Sequence, residues 1–485
     1  MQPSLQILDP TLVDRILAEA FQLILEHGVA VAVDEAAELL AAHGAQVENG
    51  MAHIPEPLAR KALETVPKEF SLYNRAGEAV VTYGGNRVHF DPGSSCVHIL
   101  DPDTLEHRVT QSTDLVRLVQ IAEMLPQYAA QSTAVVCNEV PKEIGDIYRL
   151  FLVLWYSNKP IVTGAFTRQT LPLMIQLLAA DAGGADVLRK KPRAIFDVCP
   201  SPPLKWSEFA AQNVMDLARA GVPAEIVSMP LAGAVAPVTI AGSVVQHAAE
   251  SIAGITIHQL ARPGSPIVWG GAPAIFDMRS GITPMGSVET SMLNAACAQV
   301  GKSLGLPTHG YLLGSDSKVI DMQAGQESGL AAALGALSGI NMISGAGMLD
   351  SLACHSAEKL VIDAETIAMA QRLLRGVQSY DGSLAVEMFT KAGVSGDFLK
   401  LPETRKLFKL EQHLPTKVAD RGSLNSWEQS GKKGIVARAK ERVQELQAGY
   451  RRPEITASVE HDLRTFITEQ ANRFGMGRLP GIESK

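Results

Sequence analysis

The sequence alternates regularly between short apolar runs and longer stretches of helical periodicity, and this pattern constrains its fold more than any other feature. Each short run ends in small or polar residues and leads into a helical stretch. Near-continuous apolar runs between helices are typical of parallel strands that are covered on both faces. The predicted strands are 87–92, 129–136, 160–165, 194–198, 224–229, 266–271, 308–313 and 340–344.

The stretches that follow these runs complete a series of strand–helix units. Eight units over about 250 to 300 residues are the size of a (β/α)₈ barrel. A doubly wound open sheet is the alternative, because periodicity does not show closure, but no GxGxxG motif follows any strand. We therefore predict an α/β protein with a (β/α)₈ barrel, whose helices are 114–124, 144–156, 170–180, 208–220, 243–262, 288–304, 322–337 and 357–374.

The rest of the chain predicts an extension at each end of the barrel. Residues 1–80 form a helical N-terminal extension, with a first helix that begins after Asp9 and shorter helices at 34–43 and 56–65. Residues 381–485 form a helical C-terminal tail, because Lys, Arg and Glu become frequent there.

The barrel domain itself is assigned to residues 81–380. Short β-prone runs at its start, separated by glycine and proline, predict a small β meander over 80–83, 87–90 and 96–100.

Composition and charge exclude several classes of protein. Apolar residues make up 46% of the chain and charged residues 19%, the balance of a globular protein. The net charge of −8 argues against nucleic acid as a partner. The five cysteines form no CxxC pair, which argues against a disulfide framework. Neither a signal peptide nor about 18 uninterrupted apolar residues occur, so we predict a cytoplasmic protein without a membrane span.

In a barrel of this kind, chemistry is expected at the carboxyl ends of the strands. The aromatic and polar residues there predict a pocket with aromatic walls, although the aromatics taken singly are more typical of core residues. For 311–323 we favour function, because so many acidic, basic and amide side chains in one turn need an electrostatic reason. The candidate substrate-binding residues are Trp269, Phe276, Arg279, His309, Tyr311, Asp316, Lys318, Asp321, Gln323 and His355.

A zinc site is the alternative use of the strand ends. Cys96, Cys137 and Cys199 fall near predicted strand ends, and His309 and His355 are available as further ligands. None of these residues has the short spacing usual for zinc ligands. We therefore predict small buried cysteines and no metal site.

Several segments together carry a resemblance to a known family, and their order and spacing make it specific. The chain resembles the trimethylamine methyltransferase superfamily, whose members pass methyl groups to a corrinoid protein. The matching segments are HFDPGSS at 89–95, SPPLKWSE at 201–208, PLAGAVAPVTIAG at 230–242, DMRSG at 277–281, GSDSKVIDMQAGQE at 314–327 and DRGSLNSWEQSG at 420–431.

The resemblance implies a (β/α)₈ barrel with helical extensions and no tightly bound cofactor. The methyl acceptor is then the corrinoid (cobalamin) of a separate partner protein. The trimethylamine enzyme carries pyrrolysine, whereas every position here is a standard residue. That departure implies the non-pyrrolysine branch, where the activity resembles glycine betaine demethylation.

A quaternary amine suits a site built from standard residues, because its nitrogen already carries the charge that departs as a neutral amine. Aromatic rings bind such cations, and Trp269, Phe276 and Tyr311 are the main candidates, ahead of Phe166 and Phe90. A substrate carboxylate would need a cation or N–H donors. Asp316 and Asp321 either balance the ammonium charge or pair with Lys318, and the carboxylate candidates are Arg279, Lys318, His309 and His355.

Three alternatives remain open from sequence. One is the same chemistry on another quaternary amine, such as proline betaine or carnitine. The others are a zinc-dependent barrel methyltransferase and a betaine-binding protein without activity. The sequence assigns no individual catalytic residue. It predicts an exposed rim for docking the corrinoid protein, and it is compatible with a homo-oligomer that is formed through the N-terminal helices or the charged tail.

Overall fold

The computed structural model of the protein describes residues 2–482, in which helices and strands alternate as a mixed α/β fold. Each of the eight predicted strand runs overlaps a parallel strand, so these predictions are confirmed. We label them β1 (His89–Pro92), β2 (Gln131–Ser132), β3 (Ile161–Gly164), β4 (Ala194–Val198), β5 (Ala224–Ser228), β6 (Ile267–Gly271), β7 (His309–Tyr311) and β8 (Met342–Ala346).

The eight strands form two parallel sheets that adjoin each other at two places. One sheet has the order β2, β3, β4, β5, β6 and the other has the order β7, β8, β1. A parallel bridge between Trp269 and Thr308 joins β6 to the residue before β7. On the other side, Ala129 N donates to Phe90 O at 2.9 Å, between the entry to β2 and β1.

The predicted helices between the strands are confirmed. Local signals fix their ends: Ser207 accepts a hydrogen bond from Ala210 N, and Gly221 ends the same helix with a φ of 70°, a conformation that suits glycine. The helices are Ser112–Met124, Gly145–Tyr156, Thr170–Ala182, Ala185–Lys190, Glu208–Ala220, Ile240–Ala261, Val288–Ser303, Met322–Leu337 and Ala357–Leu374.

Side chains alternate between two faces of the sheets, as the period of a strand requires. One face packs in the main core with the helices and includes Phe196, Ile226 and Trp269. The other, which we call the inner face, packs against a hairpin made of Phe70–Tyr73 and Ala79–Tyr83. The hairpin residues in this contact are Leu72, Val81 and Tyr83. The inner-face residues that they contact lie near the amino ends of the strands and are Ala130, Val162, Ile195, Val268 and Met342.

The predicted meander is wrong. The run at 79–83 pairs with 70–73, the next run is β1 and pairs with β8, and the third, at 98–100, pairs with 107–109 and 354–355. Local β propensity identified the strands, but contacts distant in sequence selected their partners.

The N-terminal helices Pro10–Glu26, Asp34–Ala42 and Glu56–Thr65 are confirmed. Strands that the sequence did not predict accompany them: Val29–Val31, Gln46–Glu48 and Met51–His53 form one sheet with Lys205–Trp206. Further short strands are His98–Leu100, His107–Val109, Leu231–Ala232, Ala274–Ile275, Met348–Leu349 and Cys354–His355.

The C-terminal region is helical, as predicted. Ile435–Gly449 buries Ala439, Val443 and Leu446 in the main core and packs against two of the helices between the strands. Only its remaining sides are solvated. No helix within residues 2–482 combines the length and apolar character needed to cross a membrane. The other helices are Val386–Ala392, Pro402–Glu411, Leu424–Gln429 and Ala457–Arg473, and short 3₁₀ turns lie at Lys142–Ile144 and Phe398–Lys400.

Candidate functional site

A group of polar side chains lies on the inner face, one layer beyond its apolar contacts with the hairpin. Asp197 and Ser344 stand two residues after Ile195 and Met342, so they point to the same side of their strands. Strands β1, β4, β5, β7 and β8 each contribute to the group, and Tyr83 reaches it from the hairpin. We call it the interior cluster; its members are Tyr83, Asp91, Asp197, Glu225, His309, Tyr311 and Ser344.

A chain of polar contacts runs through the cluster from β1 to β5. Ser344 Oγ donates to Asp91 Oδ1 at 2.5 Å and lies 2.9 Å from His309 Nε2. The other ring nitrogen, His309 Nδ1, lies 2.6 Å from Glu225 Oε1, although neither of these two atoms has a hydrogen-bond partner of normal geometry. His309 is therefore held between a hydroxyl and a carboxyl group.

Tyr311 closes the other side of the cluster. Its hydroxyl donates to Asp197 Oδ2 at 2.7 Å, and its ring meets the His309 ring edge-on with centroids 4.8 Å apart. Asp197 lies beside Glu225 in the register of β4 and β5. The two carboxyl groups thus come from neighbouring strands.

Several polar atoms of the cluster are buried without a hydrogen-bond partner. Leaving a buried polar group unpaired costs about 1 to 3 kcal/mol, so native proteins seldom leave several in one place without a functional reason. The atoms are Tyr83 Oη, Asp91 Oδ2, Asp197 Oδ1, Glu225 Oε1 and Oε2, and His309 Nδ1.

Gly270 on β6 lets the Glu225 and His309 side chains pack close to its backbone. A Cβ at this position would lie 2.7 Å from Ile226 O, 3.0 Å from Glu225 Cγ and 3.2 Å from His309 Nδ1. Any larger residue would press on the Glu225 and His309 side chains. The cluster therefore depends on a glycine in the neighbouring strand.

Burial keeps the carboxyl groups of the cluster protonated by raising their pKa values. Burial raises the pKa of Glu225 to about 8. Burial, with Glu225 nearby, also raises the pKa of Asp91 and of Asp197 well above the usual range. Burial lowers the pKa of His309 to about 4, so the ring is neutral near pH 7. The cluster can therefore acquire negative charge when a cation enters.

The cluster is approached from the carboxyl ends of β3, β4 and β5. Asp197 and the neighbouring Gly164, Cys199 and Met229 are each partly exposed, and all lie at or just beyond these strand ends. Solvent thus reaches the edge of the cluster here, where the working face was expected.

Of the ten predicted site residues, the structure brings His309 and Tyr311 into the cluster. Sequence reasoning missed Asp91, Asp197 and Glu225 as site residues. A signal was present in the strands AIFDV and AEIVS, where a carboxylate interrupts an otherwise apolar run. A charged residue at a predicted core position needs a partner or a function.

Trp269 lies on the helix-facing side of β6, away from the interior cluster. Its indole Nε1 donates to Cys297 O at 2.9 Å, and its ring packs over Gly301 in the helix Val288–Ser303. Trp269 is adjacent in sequence to the inner-face residues Val268 and Gly270, and successive residues of a strand point to opposite faces.

Gly301→Ala is expected to destabilise the fold by about 1 to 3 kcal/mol, because the new methyl group would overpack the site. Its Cβ would lie 2.6 Å from Trp269 Cδ1. Urea unfolding measures the change. Gly325→Ala is the control, because a Cβ there meets nothing within 4 Å, and helix propensity predicts a gain of about 0.5 to 1 kcal/mol. Equal effects of the two changes would contradict this packing.

The Asp316 and Asp321 carboxylates do not pair with Lys318 and lie outside the cluster, so the pairing that was one of the two alternatives from sequence is not observed. Asp316 accepts hydrogen bonds from Met285 N and Gly286 N and fixes a loop. Asp321 caps the helix Met322–Leu337 by accepting from Ala324 N. Lys318 Nζ donates to the Asp316 backbone oxygen and lies 3.3 Å from Asp350 Oδ1.

The remaining predicted residues lie outside the cluster. The Arg279 side chain is 92% exposed and pairs with Asp277. Gln323 is exposed and donates to Glu327, whereas Phe276 is half-buried in the loop after β6. His355 is fully buried, neither of its ring nitrogens has a partner, and burial lowers its pKa to about 3.

The cysteines considered for zinc are dispersed. Cys96 and Cys137 are buried and Cys199 is partly exposed. Burial raises the pKa of Cys199 to about 12, which disfavours a thiolate. Across residues 2–482, no three His, Cys, Asp or Glu side chains are grouped so that they could hold a metal ion.

Comparison with known proteins gives consistent matches over nearly the whole chain. The family model described as trimethylamine methyltransferase (MTTB) matches residues 1–475. Trimethylamine methyltransferase MttB of Methanosarcina thermophila is 31% identical over 452 residues, which are 91% of this chain and 93% of the relative. Glycine betaine methyltransferase of Desulfitobacterium hafniense is 28% identical over 475 residues, 98% of each chain.

Among solved structures, the monomethylamine methyltransferase MtmB of Methanosarcina barkeri has a similar fold. The TM-score is 0.52 at 12% sequence identity, and the match covers 91% of this chain and 88% of MtmB. At this identity the likeness concerns the fold alone. The family-model match and the relatives together make the assignment, which the resemblance of six sequence segments had predicted: the chain belongs to the trimethylamine methyltransferase (MTTB) family.

Proposed function

We propose that this protein transfers a methyl group from a quaternary amine, glycine betaine foremost, to the Co(I) of a corrinoid carried by a separate protein. The observation that carries the proposal is the interior cluster. Asp91, Asp197 and Glu225 bring three carboxyl groups together, and the basic side chain beside Glu225, His309, is held neutral. The glycine betaine methyltransferase among the relatives supports the substrate class.

A quaternary ammonium fits this cluster for a physical reason. It has no N–H donor, so charge and ring faces bind it rather than directional hydrogen bonds. Asp91, Asp197 and Glu225 each have an unpartnered carboxyl oxygen, and the loss of one proton from this group supplies one negative charge for the ammonium. Tyr311 supplies an aromatic ring beside them, with its hydroxyl turned to Asp197.

The transfer itself needs little acid–base chemistry from the protein. The electron pair of Co(I) forms the new bond to the methyl carbon, while the pair of the breaking C–N bond stays on nitrogen. Glycine betaine thus leaves as dimethylglycine. The side chains of the cluster have to bind the cation, orient one methyl group towards the strand ends and exclude water.

We infer that the eight strands close into the (β/α)₈ barrel that the sequence predicts. The bridge between Trp269 and Thr308 and the hydrogen bond from Ala129 N to Phe90 O support closure, because they join the two sheets along both borders. The hairpin then fills the amino end of the barrel and the cluster lies towards its open end. The division of the chain at about residues 80 and 380 stays a prediction.

The loops after β5 and β6 form a surface suited to a docking partner. They carry exposed apolar side chains at Val235, Val238, Met278 and Ile282, close in sequence to the exposed Arg279. Exposed apolar groups near a charged side chain are typical of protein interfaces. This surface lies on the side where the cobalt has to approach, so we assign it to the corrinoid protein.

Glycine betaine is expected to raise the unfolding temperature of the protein and to methylate Co(I) corrinoid protein when all components are mixed. The first effect follows because a ligand that binds only the folded state stabilises it. Differential scanning fluorimetry against glycine betaine, proline betaine, carnitine and trimethylamine measures binding, and the absorbance of methyl-Co(III) measures transfer.

Two outcomes would overturn the proposal. One is transfer from trimethylamine with none from any quaternary amine, and the other is transfer that requires stoichiometric zinc. Tight betaine binding without a methyl-cobalt signal would instead favour a binding protein. A stronger response to proline betaine or carnitine would keep the chemistry and change the substrate.

A further inference from the structure

A buried arginine lies at the carboxyl ends of β1 and β2, beyond the interior cluster. Arg149 stands on the helix Gly145–Tyr156 and is 1% exposed. Its Nη1 donates to Ser95 Oγ at 2.9 Å and to Thr133 O at 3.2 Å. Ser95 follows β1 and Thr133 follows β2, so the guanidinium group is anchored to two neighbouring strand ends.

The other edge of the guanidinium group has no partner. Arg149 Nε and Nη2 are both buried and form no hydrogen bond. These two N–H groups lie side by side in one plane, which is the edge that binds a carboxylate through two parallel hydrogen bonds. A buried guanidinium with this edge unused is costly, and arginine keeps its charge when buried.

The nearby carboxylate of Asp146 does not satisfy that edge. Its Oδ1 accepts from Ile147 N at 2.9 Å, and its Oδ2 accepts from Phe166 N at 2.7 Å and from Thr170 Oγ1 at 2.5 Å. It therefore lowers the local electrostatic cost of Arg149 without a hydrogen bond to it. The Arg149 edge is left for a group that does not belong to this chain.

Phe166 defines how a ligand reaches this edge. Its ring lies over the guanidinium group, with the Arg149 Cζ 4.4 Å from the ring centroid, and covers one flat face. Phe166 itself is 50% exposed just beyond β3, at the side where Asp197 and Gly164 are partly exposed. A guanidinium group so deeply covered admits a small anion and not the surface of a macromolecule.

We infer that Arg149 binds the carboxylate of the amine substrate and so selects zwitterionic quaternary amines over those without a carboxylate. The inference rests on the proposed function, which concerns the ammonium group, and it adds a binding site for the carboxylate of the same substrate. Asp91 and Ser95 are four residues apart, so their Cα atoms lie at most about 14 Å from each other. Asp91 belongs to the cluster and Ser95 is bonded to Arg149, so this bound places both within one neighbourhood, where a betaine would have its ammonium at the cluster and its carboxylate at Arg149.

Three ligands of similar size test separately the ammonium site at the interior cluster and the carboxylate site at Arg149. Glycine betaine carries both charges, choline carries only the ammonium, and 3,3-dimethylbutyrate carries only the carboxylate on an uncharged isostere. Isothermal titration of the wild-type protein is expected to show binding of all three, with glycine betaine the tightest. Failure of 3,3-dimethylbutyrate to bind better than 3,3-dimethylbutan-1-ol would overturn the role of Arg149.

Arg149→Gln is expected to weaken the binding of glycine betaine and of 3,3-dimethylbutyrate by about tenfold or more, because a charged hydrogen-bonded contact is lost. Choline affinity is expected to stay within about twofold, since choline does not use the arginine. Arg149→Lys keeps the charge without the planar fork, so it should recover part of the loss. It also provides a folded variant if glutamine proves too destabilising, as thermal unfolding would show.

Arg168→Gln is the matched control, since Arg168 lies two residues after Phe166 but is exposed and pairs with Glu208. It should leave all three affinities unchanged. Equal losses for choline and glycine betaine in Arg149→Gln would mean a structural role and overturn the inference alone. Failure of choline and glycine betaine to bind the wild-type protein, with 3,3-dimethylbutyrate still bound, would overturn the proposed function instead.

Discussion

Glu225→Gln is expected to lower kcat/KM for methyl transfer from glycine betaine by about a hundredfold or more, while the ligand-free protein becomes more stable. The loss follows because removing one partner of a buried charge pair costs about 3 to 5 kcal/mol, and about 1.4 kcal/mol is tenfold. The gain in stability follows because Glu225 Oε2 is buried without a partner and Oε1 contacts His309 Nδ1 without normal hydrogen-bond geometry. Steady-state kinetics and urea unfolding measure the two effects.

Asp181→Asn gives the opposite pattern and serves as the control. Asp181 is equally buried but pairs with Arg75 and Arg193 at 2.8 Å each, outside the interior cluster. Its loss should destabilise the fold by several kcal/mol and leave the KM for glycine betaine unchanged. If Glu225→Gln keeps full activity, or if both variants lose stability alike, the cluster is a structural core and not a cation site.

The affinity for glycine betaine is expected to rise with pH up to about pH 8 and to level off above it. Burial raises the pKa of Glu225 to about 8, so the free protein holds a proton that the incoming cation must displace. Below pH 8 the gain should approach tenfold per pH unit for one displaced proton. Titration calorimetry in buffers of different ionisation enthalpy measures the proton release, which Glu225→Gln should reduce.

The raised pKa of Glu225 also predicts that the ligand-free protein loses stability as the pH rises. The folded-state pKa of Glu225 lies above its ordinary value of 4.5, so the ligand-free folded state binds the proton more tightly than the unfolded chain. This contribution is complete below pH 4.5 and is lost as the pH rises through about 8. The difference in unfolding free energy between wild type and Glu225→Gln should therefore change in that window. A constant difference would contradict the raised pKa.

The strand and helix positions were predictable because they depend on local signals. Ser207 and Gly221 mark the ends of one helix in the sequence itself, and the apolar runs of β3 to β6 are visible without any partner. The meander failed for the complementary reason. Each of its three runs pairs with a different segment, and propensity carries no information about which segment that is.

The sequence by itself determined the family, through motifs whose order is specific, and the alternating α/β pattern. Only the tertiary structure decided which strand-end residues converge. Trp269 and Gly270 are adjacent in sequence, yet one packs against a helix and the other adjoins Glu225 and His309. Asp91, Glu225 and Arg149 come from distant segments, and their unpartnered atoms become visible as a site only when the strands bring them together. Burial and missing partners are properties of the packed chain, so no pattern in the sequence reveals them.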